Sequence, residues 1–241
     1  MIARFEELDW QQTRMGELTL RRRADPATGE LIYEVKLEDE YLMSSLFTVA
    51  EEELARLGLA AAEGAELAVL VGGLGLGYTA ATALQDDRVR RLDVIDALPA
   101  VIGWHERELL PVSGQLVTDP RTTLVHDDFF AVVRQTPASE DARYDVILLD
   151  VDHSPRHTLD PSHTDLYTAA GLTSLARHLN DRGVFALWSD DPPDADFMTT
   201  LSSVFDDAAA HVVAFDNRLT GGISSNTVYV ATRRWSPVDA Q

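Results

Sequence analysis

One glycine-rich segment constrains the fold of this chain more than any other part of its sequence. The apolar residues 69–71 lead into Gly72-Gly73-Leu74-Gly75-Leu76-Gly77, and Asp96 follows roughly 20 residues later. A strand, a tight glycine turn and a helix in this order begin a βαβ unit, because glycine permits a sharp turn and leaves room for a ligand. A carboxylate that ends the next strand can accept hydrogen bonds from both hydroxyls of a ribose. The segment therefore predicts a nucleoside-bearing cofactor at the end of a parallel sheet.

The composition is typical of one globular domain with a small appendage. The chain has 241 residues, of which 45% are hydrophobic, and a mean hydropathy of −0.10. No apolar run is long enough to cross a membrane, and residues 1–7 do not resemble a signal peptide. The absence of cysteine excludes disulfides, thiolate catalysis and cysteine-based zinc sites. We expect a cytoplasmic protein without a membrane partner.

The charge of the chain bears on its partners. The formal net charge is −20 at pH 7, and a protein that binds along a phosphate backbone needs a basic surface, so we expect no nucleic-acid partner. Two interpretations of the acidity remain open. It could serve solubility or adaptation to salt, or it could attract a cationic small-molecule substrate.

Predicted strands and helices alternate from residue 67 onwards, after a different N-terminal segment. Residues 17–43 are typical of a β-hairpin with its turn at 25–29, and residues 48–62 of a helix capped by Thr48. Strands are predicted at 67–71, 91–96, 122–125, 144–150, 183–188, 211–216 and 226–232, and helices at 77–85, 98–108, 129–135, 165–180 and 194–207.

This alternation predicts an α/β fold with a Rossmann-like, doubly wound, mostly parallel seven-stranded sheet. The last two strands form a C-terminal antiparallel hairpin around Gly221-Gly222, and a small β-hairpin precedes the sheet. We divide the chain into the N-terminal hairpin and linker helix at 1–60, the Rossmann-like cofactor-binding domain at 61–235 and a tail at 236–241. Such a fold binds ligands at the carboxyl ends of its strands.

Acidic residues follow several of the predicted strands at that edge. Asp96 ends the second strand, and Asp127 and Asp128 follow the third. Each alone could be a helix cap, but their placement at one edge favours a site, and we interpret all three as cofactor-binding residues. Asp128 lies where an adenine amino group would bind. Phe129 and Phe130 could form apolar walls beside it, although Phe130 is better explained as a core residue.

Asp150 ends the most apolar strand and is the candidate acid–base or cation-binding carboxylate. Burial would raise its pKa, whereas a nearby cation would lower it. The next loop contains His153, His157 and His163, which together with Asp150 and Asp152 could ligate a metal. Their spacing matches no helical metal motif and loop histidines are usually solvated, so we expect no metal site.

These segments resemble a known family. Residues 69–77 resemble the first motif of class I S-adenosylmethionine-dependent methyltransferases. Further segments, and the N-terminal hairpin, are similar to the spermidine synthase (polyamine aminopropyltransferase) branch of that superfamily. Those segments are Asp93-Val94-Ile95-Asp96, Asp119-Pro120-Arg121, Asp128 and Tyr144-Asp145-Val146-Ile147-Leu148-Leu149-Asp150. The resemblance covers roughly residues 17–232.

The resemblance implies a role for each matched residue, and it also implies a homodimer. Asp96 would hold the ribose hydroxyls of S-adenosylmethionine or its decarboxylated form, and Asp128 would hold the adenine amino group. Asp150 would match the aspartate that orients and deprotonates the attacking amine in aminopropyltransferases. Three glycines would line the methionine–ribose part of the cofactor: Gly73, Gly75 and Gly77.

The chain also departs from that branch. Spermidine synthases have an aspartate between the last two glycines of the first motif, where it binds the ammonium of the decarboxylated cofactor, and this chain has Leu76. The second acidic position after the fourth strand is His153, and Met43-Ser44-Ser45-Leu46 stands about where polyamine-binding elements are expected. Because leucine leaves a cationic tail without a charge partner, the cofactor pocket is better preserved than the aminopropyl chemistry.

We predict an enzyme that transfers a methyl or an aminopropyl group from a sulfonium to a nucleophile, most readily an amine, with Asp150 as the base. Leu76 and His153 favour methyl transfer, whereas the other motifs and the acidic charge favour aminopropyl transfer. Two other classes stay open. One is a non-catalytic nucleoside-binding homologue. The other is an NAD-dependent dehydrogenase, against which the Gly-x-Gly-x-Gly spacing counts.

Overall fold

A computed structural model describes residues 5–13 and 16–233, where eleven strands form two sheets and seven α-helices pack on them. The strands are β1 (Phe5–Thr13), β2 (Gly16–Ala24), β3 (Leu31–Leu37), β4 (Glu40–Ser44), β5 (Leu67–Gly72), β6 (Val89–Asp96), β7 (Thr122–His126), β8 (Tyr144–Leu149), β9 (Leu179–Ser189), β10 (Asp207–Asn217) and β11 (Gly222–Thr232). The helices are α1 (Val49–Ala61), α2 (Tyr78–Ala83), α3 (Pro99–Glu106), α4 (Ser113–Thr118), α5 (Phe129–Arg134), α6 (Ala169–Ala176) and α7 (Ala195–Val204). The tail predicted at 236–241 lies outside the described residues.

The larger sheet has the strand order β10-β11-β9-β8-β5-β6-β7. Strands β5 to β9 are parallel, and β10 and β11 form an antiparallel hairpin beside β9. The predicted Rossmann-like α/β fold is confirmed, including its seven strands and its C-terminal hairpin. The chain passes from β5 to one edge and then returns to β8, so the strand order reverses between β5 and β8. In doubly wound folds a ligand binds in the crevice at this reversal.

Side chains of the central strands alternate between two hydrophobic clusters. In β8, Val146 and Leu148 join the cluster that contains α1 to α4, whereas Ile147 and Leu149 join the cluster that contains α5 to α7. All four side chains are fully buried, which explains why residues 146–149 are apolar without interruption. Each buried side chain stabilises the fold by roughly 1.5–3 kcal/mol. The strand is thus a rigid support for the residue that follows it, Asp150.

The N-terminal unit is a four-stranded antiparallel sheet, β1-β2-β3-β4, of which the predicted hairpin accounts for two strands. The predicted hairpin corresponds to β2 and β3. Strand β1 was missed because its sequence, FEELDWQQT, is largely polar and lacks apolar alternation. It is fixed by Asp9, whose carboxylate accepts hydrogen bonds from Trp104 Nε1 and Arg107 of the α3 region, both at 2.6 Å.

Three helical details differ from the prediction. The helix predicted at 165–180 is a 3-10 turn at Pro161–Tyr167 followed by α6, because the Thr168 hydroxyl accepts from Gly171 N–H and starts a new helix. Helix α4 was not predicted, since it begins with Ser113 and a glycine, which are weak helix formers. Thr48 does occupy the N-cap of α1, but its hydroxyl donates to Glu52 at 3.0 Å and caps no backbone group.

Helix α1 packs closely on the larger sheet. A Cβ at Gly58 would lie 2.6 Å from the Leu148 side chain, so glycine is what lets α1 approach β8. This packing brings the first turn of α1, with Glu51, to the carboxyl ends of the strands. In the part of the chain that the structure describes, no helix is both long and apolar enough to span a bilayer.

Candidate functional site

The candidate site lies where β5, β6 and β8 end, at the reversal of strand order. Gly73 N–H donates to the Ile95 carbonyl at 2.9 Å, and Asp150 N–H donates to the Gly72 carbonyl at 2.8 Å. The chain that leaves β5 is therefore held against both neighbouring strands. A cavity of about 440 Å³ opens above this point. Its volume is within the range of pockets that bind small molecules.

The three glycines of the turn have left-handed backbones, with φ of 92° at Gly73, 48° at Gly75 and 91° at Gly77. Gly73 and Gly75 line the cavity, whereas Gly77 lines a smaller recess beside it. A Cβ at Gly73 would collide with the Asp150 carbonyl oxygen, and one at Gly77 would lie 2.7 Å from the His105 ring. The glycines thus allow protein groups to approach the turn, in addition to leaving room for a ligand.

His105 supports this turn from inside the protein. The side chain is fully buried, with Nε2 3.0 Å from the Gly75 carbonyl oxygen and Nδ1 3.1 Å from the Ser113 hydroxyl. Burial lowers the pKa of His105, so the ring is neutral. Since a carbonyl can only accept, Nε2 carries the hydrogen and Nδ1 accepts from Ser113.

Asp96 ends β6, and its carboxylate lines the cavity. Oδ2 accepts a hydrogen bond from Leu74 N–H at 3.0 Å, and Oδ1 accepts one from Leu98 N–H at 2.8 Å. Burial raises the pKa of Asp96, against the opposing effect of these backbone donors. The two donors fix the carboxylate, while each oxygen keeps a lone pair that a ligand hydroxyl could use.

The two neighbouring aspartates after β7, Asp127 and Asp128, lie in different surroundings. Asp128 lines the cavity and caps α5, where Oδ1 accepts from the backbone N–H groups of Phe130 at 2.9 Å and Ala131 at 3.2 Å. Its Oδ2 has no partner among the described residues. Asp127 is exposed, lies in a neighbouring groove and accepts from Asp128 N–H at 2.8 Å. Phe130 is buried as expected, yet it also lines the cavity together with Phe129.

A recess of about 130 Å³ adjoins the cavity, and Asp150 lines both. Asp150 Oδ2 accepts a hydrogen bond from the Thr79 hydroxyl at 2.7 Å. Glu51, in the first turn of α1, lines the same recess and was not among the predicted site residues. Burial raises the pKa of Asp150 to about 6, and burial together with the Asp150 charge raises the pKa of Glu51 to about 8.

The other walls of the recess combine apolar and polar groups. Leu76 is only 6% exposed and lies among them. His153 also lines the recess, with Nε2 3.6 Å from Glu40. Trp188 contributes a buried Nε1–H that has no hydrogen-bond partner in the described part of the chain. Neither the cavity nor the recess is lined by an arginine or lysine from residues 5–13 and 16–233, so a bound cation would meet carboxylates without competition.

The three loop histidines lie in different surroundings. The side chain of His157 is 69% exposed and contacts Asp191, whereas that of His163 is 13% exposed and contacts Asp152. His163 is therefore not the solvated loop residue that the sequence suggested. Within the residues that the structure describes, no three histidine, aspartate or glutamate side chains are grouped so as to hold a metal ion.

The raised pKa of Glu51 predicts a pH-dependent stability. Between pH 4.5 and about 8 the unfolded chain has released this proton while the folded chain still retains it, so the free energy of unfolding falls as the pH rises. One such group contributes a slope of up to about 1.4 kcal/mol per pH unit. We expect Glu51→Gln to remove this contribution in urea unfolding between about pH 5 and about pH 8. Glu52→Gln is the matched control, and equal slopes for Glu51→Gln and the unmodified chain would contradict the assignment.

Sequence comparison identifies the family. The profile of the spermine/spermidine synthase domain matches residues 48–216, well over half of the chain. The chain belongs to the spermine/spermidine synthase family. It is 30% identical over 135 residues to a polyamine aminopropyltransferase from Shewanella oneidensis, which is 52% of this chain and 22% of that protein. The match thus spans about a fifth of that curated relative's length.

Solved structures of this family share the fold. A spermidine synthase from Thermotoga maritima superposes with a TM-score of 0.72 at 20% identity and covers 97% of this chain and 75% of its own. A spermidine synthase in complex with the transition state analogue AdoDATO gives a TM-score of 0.72 at 19% identity, with 97% and 74% covered. The predicted resemblance to the spermidine synthase branch, with its methyltransferase-like fold, is confirmed.

Proposed function

We propose that this member of the family transfers the aminopropyl group of decarboxylated S-adenosylmethionine to an amine acceptor. The observation that carries the proposal is a recess that Glu51 and Asp150 both line, without an arginine or lysine from the described residues. The donor and a protonated amine are both cations, which such carboxylates stabilise. The similarity to a polyamine aminopropyltransferase supports the same activity.

The cavity suits the nucleoside part of the donor. Asp96 is fixed by two backbone donors and keeps lone pairs for the ribose hydroxyls, and Asp128 keeps Oδ2 for the adenine amino group. Gly73 and Gly75 would line the part next to the sulfonium. We assign Gly77 to the shape of the turn, because the space of its missing side chain is filled by His105. Asp127, exposed in the neighbouring groove, would contribute less to binding.

Asp150 is the proposed base. The amine nitrogen forms a bond to the aminopropyl carbon next to sulfur, the carbon–sulfur bond breaks, and sulfur keeps the electron pair. The amine loses a proton, which Asp150 accepts. Because a sulfonium is already an activated leaving group, positioning and one proton acceptor supply most of the catalysis. With a pKa of about 6, Asp150 is ionised at neutral pH and ready to accept that proton.

Glu51 would supply the charge that Leu76 lacks. In the family pattern an aspartate at the position of Leu76 binds the ammonium of the decarboxylated donor. Here Leu76 and Glu51 line the same recess, and we propose that Glu51 holds that ammonium from α1. Methyl transfer is the second candidate, favoured by the apolar side chain of Leu76 itself.

Calorimetric titration with four ligands tests the function. We expect decarboxylated S-adenosylmethionine and methylthioadenosine to bind more tightly than S-adenosylmethionine, and NAD not to bind. Tightest binding of S-adenosylmethionine would favour methyl transfer, and binding of NAD alone would overturn the proposal. Asp96→Ala should weaken nucleoside binding about 10- to 100-fold, since it removes both hydrogen-bond acceptors for the ribose hydroxyls. Asp127→Ala, which changes the aspartate of the neighbouring groove, should weaken binding much less than Asp96→Ala.

Three further assignments follow from the same family and composition. We propose that the chain acts on small-molecule substrates, forms a homodimer and works in the cytoplasm. We also propose to keep the division into an N-terminal unit at 1–60 and a cofactor-binding domain at 61–235, with α1 as the element that connects the two.

A further inference from the structure

Asp152, His163 and Tyr167 form a buried hydrogen-bonded group beside the cavity. Asp152 Oδ1 accepts from His163 Nδ1 at 2.8 Å and from Leu159 N–H at 2.8 Å, and Oδ2 accepts from the Tyr167 hydroxyl at 2.7 Å. The Asp152 side chain has no exposed surface. Three donors around one buried carboxylate fix its position closely.

This group determines which nitrogen of His163 carries the hydrogen. Burial and the Asp152 charge raise the pKa of Tyr167 well above its usual value, so the phenol keeps its hydrogen and donates it. The carboxylate likewise acts as an acceptor toward His163, so Nδ1 carries the hydrogen. In the neutral ring Nε2 is then an acceptor. It has no hydrogen-bond partner among the described residues.

His163 stacks against the first turn of α5, the helix that Asp128 caps. Its ring stacks on Phe130, with the ring centroids 3.7 Å apart and the planes 8° apart, and this fixes the plane of the imidazole. Phe130 in turn belongs to the helical turn that Asp128 caps. Both His163 and Asp128 line the cavity, and each has one acceptor atom without a partner in the described chain.

We infer that His163 and Asp128 together select a purine base with a 6-amino group. An exocyclic amino group has two hydrogens, and the cavity offers two acceptors, His163 Nε2 and Asp128 Oδ2. A 6-oxo purine would instead place an oxygen lone pair against both acceptors and leave them unpaired. Asp152 is the positioning residue, because it holds Nδ1–H and so keeps Nε2 free to accept. The inference rests on the proposed function, since it concerns the nucleoside of the donor.

The test compares methylthioadenosine with its inosine counterpart in calorimetric titrations. His163→Phe keeps a ring that can stack on Phe130 but removes the acceptor. We expect it to weaken methylthioadenosine binding about tenfold and to reduce the preference for the 6-amino base by a similar factor. His157→Phe, which changes an exposed histidine of the same loop, is the matched control and should keep the preference of the unmodified chain.

Nitrogen-15 NMR of the unmodified protein gives a second test that needs no variant. We expect His163 to carry its hydrogen on Nδ1, and the Nε2 signal to shift when methylthioadenosine binds. Asp152→Asn should weaken that tautomer preference and reduce base discrimination in parallel. A hydrogen on Nε2 of the neutral ring, an Nε2 signal unmoved by the ligand, or an unchanged preference in His163→Phe would overturn the inference. Failure of the unmodified chain to bind either nucleoside would instead overturn the proposed function.

Discussion

Replacing Asp150 by asparagine is expected to lower kcat for aminopropyl transfer by about 10²- to 10⁴-fold, the usual contribution of a general base. The amide oxygen can still accept a hydrogen bond from the Thr79 hydroxyl, so the local structure should persist. What is lost is the proton acceptor at the end of β8. The measurement is the release of methylthioadenosine at saturating donor and acceptor.

The control for this experiment is an aspartate within the strand that Asp150 follows. Asp145 lies at the opposite end of β8, where its carboxylate accepts from Ala68 N–H and from Asn180. Asp145→Asn should cost some stability and leave kcat within a few-fold of the unmodified chain. Turnover of Asp150→Asn within a factor of about ten of the unmodified chain would remove Asp150 from the catalytic role.

Gly73→Ala is expected to have the largest effect on stability of the changes considered. Its φ of 92° disfavours any L side chain, and the new methyl group would collide with the Asp150 carbonyl oxygen. Relief of the collision requires the ends of β5 and β8 to separate, which disrupts the Gly72–Asp150 hydrogen bond. We expect a loss of several kcal/mol, roughly 3–5, in urea unfolding, which is the range of severe single substitutions.

Gly29→Ala is the control that distinguishes the strain of a left-handed backbone from the collision expected in Gly73→Ala. Gly29 has a φ of 77°, but a Cβ there would meet no atom within 4 Å. Its replacement should therefore cost only the strain of a left-handed residue, about 1–2 kcal/mol. If the two variants unfold at the same urea concentration with equal slopes, the close approach of Gly73 to Asp150 contributes nothing beyond that strain.

Periodicity made the larger sheet predictable from sequence. Its central strands are buried on both faces, so their apolar runs are continuous, and turns with glycine or aspartate mark their ends. The same pattern predicted that Asp96 and Asp150 lie at one edge of this sheet, because the carboxyl ends of parallel strands share an edge. Strand β1 escaped prediction because it is polar and is fixed by Asp9, whose partners lie in the distant α3 region.

The parts of the site that were missed depend on contacts between distant segments. Glu51 lines the recess because α1 packs on β8 through Gly58. The sequence near it indicates only that Glu51 shares a helix face with the buried residues Leu54 and Ala55, three and four positions later. Asp127 and Asp128 are adjacent and chemically equal. Only the cap of α5 decides which of them lines the cavity.

The proton that Glu51 retains at neutral pH has a consequence for how the site handles charge. At neutral pH Asp150 is ionised while Glu51 is still protonated, so the unliganded recess has roughly one negative charge instead of two. An ammonium group that enters would lower the pKa of Glu51 and displace its proton. Uptake of a cation would then be coupled to release of a proton into solution. Without a bound cation the protein would thereby bury only one negative charge in the recess, and with a cation bound it would have two carboxylates to neutralise it.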